Sequence, residues 1–110
     1  MSLSKLGYSH RILETPSGPV LGCSYRWPTG QYCAIHTDRG ILGCGLYDCG
    51  VASKFGMPVA IARGTPEKPL REPEDLLDAK IADVSEGARK AGVEPGMTGL
   101  EAIARLLASS

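Results

Sequence analysis

The chain is short of histidine, with His10 and His36 its only two, and it has one tryptophan, one phenylalanine and no net charge. Two histidines leave few metal ligands and few catalytic bases to work with. Twelve basic residues balance twelve acidic ones. That balance excludes a strongly basic surface for nucleic acid or for an anionic membrane as the main partner face. It also leaves no like-charge field to oppose self-association. No run of about eighteen apolar residues occurs, so no membrane span is predicted. The first residues lack the charged and apolar regions of a signal peptide, and a cytoplasmic location is expected. In that compartment Cys23, Cys33, Cys44 and Cys49 are expected as free thiols. No Cys-x-x-Cys and no paired histidines accompany them. Cys44 and Cys49 lie five apart, which is not one helix face, so neither a metal nor another cofactor is expected.

What the chain does contain is an alternating front half and a helical back half. Its 110 residues suit a single domain, 1–110, with a β-rich part at 6–45 and a mixed, mainly helical part at 46–107. Tyr8, His10 and Ile12 alternate with Ser9, Arg11 and Leu13. Leu21, Cys23, Tyr25 and Trp27 recur at period two, and so do Tyr32, Ala34 and His36, which predicts strands. Pro16-Ser17-Gly18, Pro28-Thr29-Gly30 and Asp38-Arg39-Gly40 supply the turns, the second read as a three-residue hairpin loop. Ile41–Cys44 then closes a four-strand antiparallel meander. A short helix is predicted over Leu46–Phe55, stopped by Gly56, and a fifth strand over Pro58–Arg63.

Gly64–Glu72 is rich in proline and charge and reads as a loop. Pro73 opens a helical turn. Asp83 reads as the cap of a helix carrying Val84, Gly87, Ala88 and Ala91. Thr98 caps a last helix with Leu100, Ile103, Ala104 and Leu107 on its inner face. The expected fold is α+β: an antiparallel meander plus a fifth strand, covered by C-terminal helices.

The aromatic residues Tyr8, Tyr25, Trp27 and Tyr32 all fall on the meander, on strands apolar on both sides. A two-sided apolar ribbon predicts that one face packs on another subunit. The expected partner is therefore a second copy of this chain, in a dimer or tetramer.

Cys44 lies between two glycines where a strand hands over to a helix. There it is either a reactive thiolate favoured by helix amides or a packed core thiol. Asp48 is either a helix cap or a carboxylate acting beside Cys44. Asp38 suits a turn or a ligand contact. Arg63 and Arg71 suit either ion pairs or an anionic ligand. Two readings follow. One is an oligomeric domain that binds a small ligand or a protein; the other is a small enzyme centred on Cys44 and Asp48 at a subunit boundary.

The run Thr37-Asp38-Arg39-Gly40-Ile41-Leu42-Gly43-Cys44-Gly45-Leu46-Tyr47-Asp48 resembles the signature of the YunC-like proteins, domain of unknown function 1805. The resemblance continues through Ala62-Arg63, Arg71, Asp75-Leu76-Leu77, Val84–Gly92, Gly96-Met97 and Gly99. Gly64–Leu70 departs from the pattern by its length and its prolines. The resemblance implies an α+β fold and a β-rich N-terminal region tied to tetramer formation. It implies no particular activity.

Overall fold

Six strands form one sheet in chain order: β1 (Gly7–Thr15), β2 (Gly18–Trp27), β3 (Gly30–His36), β4 (Ile41–Gly43), β5 (Val59–Arg63) and β6 (Lys80–Val84). The computed structural model describes residues 5–109. Three α-helices accompany the sheet: α1 (Cys49–Lys54), α2 (Glu86–Lys90) and α3 (Gly99–Ala108). A 3-10 turn covers Pro73–Leu76. The expected α+β class and N-terminal meander are present. Among the described residues, no helix is long and apolar enough to cross a membrane.

The turns follow from local chemistry. Thr15 pairs with Gly18 across Pro16-Ser17, and the Thr15 hydroxyl donates to the Gly18 carbonyl at 2.7 Å. Trp27 pairs with Gly30, so the second loop is Pro28-Thr29, two residues and not three. The tryptophan ring lies over Gly30, where a Cβ would come within 2.8 Å of it. Thr37 Oγ1 accepts from the amides of Arg39 and Gly40 and sets β4 beside β3.

The structure adds one feature to the expected sheet and corrects another. First, β4 runs parallel to β5, with α1 as the crossover, because parallel neighbours need a connection long enough to return the chain. Second, Lys80–Val84 is a sixth strand, antiparallel to β5. Asp83 therefore sits inside that strand, and the cap of α2 is Ser85.

The Ser85 hydroxyl accepts from Ala88 N at 3.3 Å and from Val59 N at 2.8 Å, and donates to the Met57 carbonyl at 2.7 Å. One buried oxygen thus ties α2 to the start of β5. The inner face of α3 is also rotated from expectation. Ala102, Ile103 and Leu106 are buried, whereas Leu100 is exposed.

The register separates the two faces of the sheet. Val20, Cys33, Ile35, Leu42, Ala60 and Ala62 pack against Leu76, Ala88, Ala102, Ile103 and Leu106. At roughly 1.5–3 kcal/mol for each fully buried large side chain, this layer is the main stabilising element. On the opposite face α1 covers β5 through Cys49 and Ala52, packed with Val59 and Ile61. Among the described residues no helix covers the β1–β3 half of that face. It carries Tyr8, Ile12, Leu21 and Trp27, and Tyr8 is 77% exposed.

Candidate functional site

The parallel pair β4 and β5 brings two strand ends together, and the residues just beyond them line one cavity. Cys44 and Gly45 follow β4; Arg63 ends β5 and Gly64 follows it. With Tyr47, Leu70 and Asp83 they bound a space of about 480 Å³. The two glycines beside the thiol serve different ends. A Cβ at Gly43 would lie 2.4 Å from the Tyr47 ring, so glycine there lets that ring cross the sheet. A Cβ at Gly45 would meet nothing within 4 Å, so packing does not require glycine at that position.

Cys44 itself is 8% exposed. Its backbone amide donates to the Cys33 carbonyl at 3.2 Å. Ala34 faces Gly43 across β3 and β4, so the next step along the ladder sets Cys33 opposite Cys44. The neighbouring Cys33 thiol, through its influence on the Cys44 sulfur, is the largest cause holding Cys44 well below the usual thiol range, to about 5. The backbone amides of Leu46 and Cys44 add to that lowering, and burial opposes it. Cys33 moves the other way. It is pushed far up by the neighbouring Cys44 sulfur first and then by its own enclosure. The ionised member is thus the one at the cavity wall.

Burial pushes Tyr47, which lines the cavity, up to about 12, so its hydroxyl stays un-ionised. Burial, followed by the charge of Asp83, takes the Cys49 thiol up to about 11. All four cysteines are free and buried.

The residues singled out in the sequence separate on this map. Cys44 and Arg63 share the cavity. Arg63 is exposed and makes no ion pair among the described residues. Asp48 does not line the cavity. Its carboxylate accepts from Val51 N at 3.1 Å and caps α1. The carboxylate at the cavity wall belongs to Asp83. Arg71 lies in a different hollow, with Glu67, Glu74 and Asp78. Arg63 also borders a neighbouring hollow that shares Lys68, Asp75 and Asp78 with that of Arg71. Asp38 is exposed in the β3–β4 turn, remote in the fold from Cys44.

Tyr25, Trp27 and Tyr32 make a connected ring cluster. Tyr25 stacks on Tyr32 at 4.8 Å, and Trp27 meets Tyr32 edge-on at 6.1 Å. Tyr8, opposite Tyr25 in the register, joins the cluster through the His10 ring, which lies 6.0 Å from Tyr8 and 5.5 Å from Tyr25. Among the described residues no group of three or more His, Cys, Asp or Glu is placed to hold a metal. Sequence reasoning missed Cys33 and Asp83 as members of the site. Their signal was strand register, with Ala34 opposite Gly43 and Ile61 opposite Asp83.

Comparison with known proteins agrees with this architecture. An uncharacterised protein of Bacillus subtilis strain 168, YunC, is 26% identical over 89 residues, covering 81% of this chain and 87% of its own. The crystal structure of a protein of unknown function from Thermoplasma acidophilum, TA1206, superposes with a TM-score of 0.81 at 19% identity. That match covers 96% of this chain and 99% of the other, and at such identity it speaks for the fold alone. The family model described as "Domain of unknown function (DUF1805)" matches residues 43–106, which take in Cys44, Arg63 and Asp83. The chain belongs to the DUF1805 family.

Proposed function

We propose that this protein binds a small anionic ligand in the cavity beyond β4 and β5, with Arg63 holding the negative charge and the Cys44 sulfur facing the ligand. One observation carries this reading: Arg63, which makes no ion pair among the described residues, lines the same cavity as Cys44. A guanidinium matches carboxylate or phosphate oxygens in a bidentate way. Iodoacetate and iodoacetamide test it, since they differ in charge and little in size. Relative to a free small thiol, iodoacetate is expected to label Cys44 about tenfold faster than iodoacetamide does, and Arg63→Gln to remove that preference. Equal relative rates in the parent protein would discard the anion site.

The depressed Cys44 thiol also favours a second reading, a small enzyme with Cys44 as nucleophile. Such a nucleophile needs no adjacent base, because the proton is already gone. Asp48 is then a helix cap and not a partner in chemistry.

The working unit, in this proposal, is a cytoplasmic homo-oligomer, a dimer or tetramer joined through the uncovered half of the sheet. Tyr8 at 77%, Ile12 at 69% and Leu21 at 43% exposure support that assignment. So does the zero net charge, which lets two identical faces meet without repulsion. Ile12→Asp is expected to halve or quarter the sedimentation mass while leaving the fold intact, because the side chain stands in solvent in the single chain. An unchanged mass would place the contact elsewhere.

A further inference from the structure

We propose that Cys33 and Cys44 form a peroxide-reactive dithiol, in which a hydroperoxide entering the β4–β5 cavity is reduced and the two sulfurs close a disulfide between β3 and the end of β4. The proposal rests on placement. Cys44 directly follows the last ladder pair, Ala34–Gly43, and its amide donates to the Cys33 carbonyl at 3.2 Å, so it continues the antiparallel ladder by one step and lies opposite Cys33. Facing antiparallel residues have Cα atoms about 4.5–5.5 Å apart, inside the window of about 4.4–6.8 Å that a disulfide spans. One of the pair lines the cavity, and the other is fully enclosed behind it.

Reactive thiols that survive oxidation have this arrangement: an attacking sulfur that is reachable and a second one poised to resolve it. Cys49 and Cys23 are not so placed. Their sulfurs donate to the carbonyls of Val59 and Ala34.

The steps balance without a further reactant. The Cys44 thiolate attacks the outer peroxide oxygen; an S–O bond forms, the O–O bond breaks, and the leaving alkoxide takes a proton to become an alcohol, or water from hydrogen peroxide. Cys33 then attacks the Cys44 sulfenic sulfur. The S–S bond forms and the S–O bond breaks. The departing hydroxide takes the Cys33 proton and leaves as water. The two thiols lose two electrons and the peroxide gains two. Nothing in this sequence uses Arg63, so it stands or falls apart from the anion site and shares with it only access to Cys44.

The test is hydrogen peroxide added to the reduced full chain, followed by intact-mass and peptide mapping. The parent protein is expected to lose about 2 Da and to yield a peptide pair joining Cys33 to Cys44. Cys33→Ala is expected to gain about 16 or 32 Da on the Cys44 peptide instead, with the first product trapped by dimedone. Cys44→Ser is expected to slow oxidation at least about tenfold. Should Cys33→Ala fail to fold, the mapping of the parent protein decides alone. Oxygen added at Cys44 without the link would overturn the proposal. So would a link to Cys49 or Cys23, or no oxidation in a protein whose Cys44 still reacts with iodoacetamide.

Discussion

Gly99→Ala is expected to cost about 3 kcal/mol or more and to lower the melting temperature by roughly 10–15 °C, read by circular dichroism. Gly99 is the first residue of α3, and a Cβ there would lie 1.8 Å from the Leu76 carbonyl oxygen and 2.8 Å from its carbon. Both obstacles are backbone atoms, so no side chain can swing aside. Relief requires the helix to move away from the Leu76–Leu77 segment. Two backbone bonds at that junction would then be stretched, Gly99 N to the Ala79 carbonyl at 2.9 Å and Leu100 N to the Leu77 carbonyl at 2.8 Å. The same shift would pull Ile103 and Leu106 out of the central layer. Gly45→Ala is the matched control, because nothing stands within 4 Å of its Cβ. A melting temperature for Gly99→Ala within about 2 °C of the parent would refute the close contact.

Cys44 is expected to react with iodoacetamide at a rate that is level from about pH 6.5 to pH 9 and falls below about pH 5, followed by peptide mass spectrometry. At pH 6 a thiol held at about 5 carries about 300 times more thiolate than an ordinary one. Its lower basicity weakens it as a nucleophile, so the net advantage is about tenfold. Cys33→Ala removes the neighbour that is the largest cause of the lowering, and the pH 6 rate is expected to fall toward that of an ordinary thiol. Stability follows the same sign. The folded-state value lies below the unfolded one, so the stabilisation from the Cys44 thiolate is present above about pH 8.5 and is lost as pH falls through about 5. A labelling rate that climbs tenfold per pH unit up to about pH 8.5 would mark Cys44 as an ordinary thiol and remove the role given to Cys33.

The legible parts of the molecule were those whose information is local. The front strands announced themselves because alternation and turn chemistry act over a few residues: Thr15 to Gly18, Trp27 to Gly30, Thr37 to Gly40. β6 was hidden because Asp83-Val84-Ser85-Glu86 mimics a helix start, and the real cap, Ser85, lies two residues on. A single apolar pair, Ile81 and Val84, is too little pattern to mark a strand. The parallel pairing of β4 with β5 depends on where α1 packs, which no short window contains.

The site divides along the same line. Cys44 stood out through its flanking glycines, and Arg63 through its position at a strand end. The sulfur that acts on Cys44 comes from eleven residues upstream in the chain, and only strand register connects the two. Asp48 was visible as either a cap or a catalyst, and its bond to Val51 N marks it as a cap. Asp83 reaches the cavity through the antiparallel pairing of β5 with β6, which could not be foreseen while β6 itself was unseen.

The order of strands in the sheet, identical to their order in the chain, bears on how the molecule is made. As the nascent polypeptide leaves the ribosome, β1, β2 and β3 can zip together with no later segment needed for their backbone pairing. Ile35 and Cys33, however, gain their cover only when the Pro73–Leu76 turn and the helices after it have been translated. For most of synthesis this ribbon is therefore bare on both sides, and it is the part of the newborn chain most in need of a chaperone.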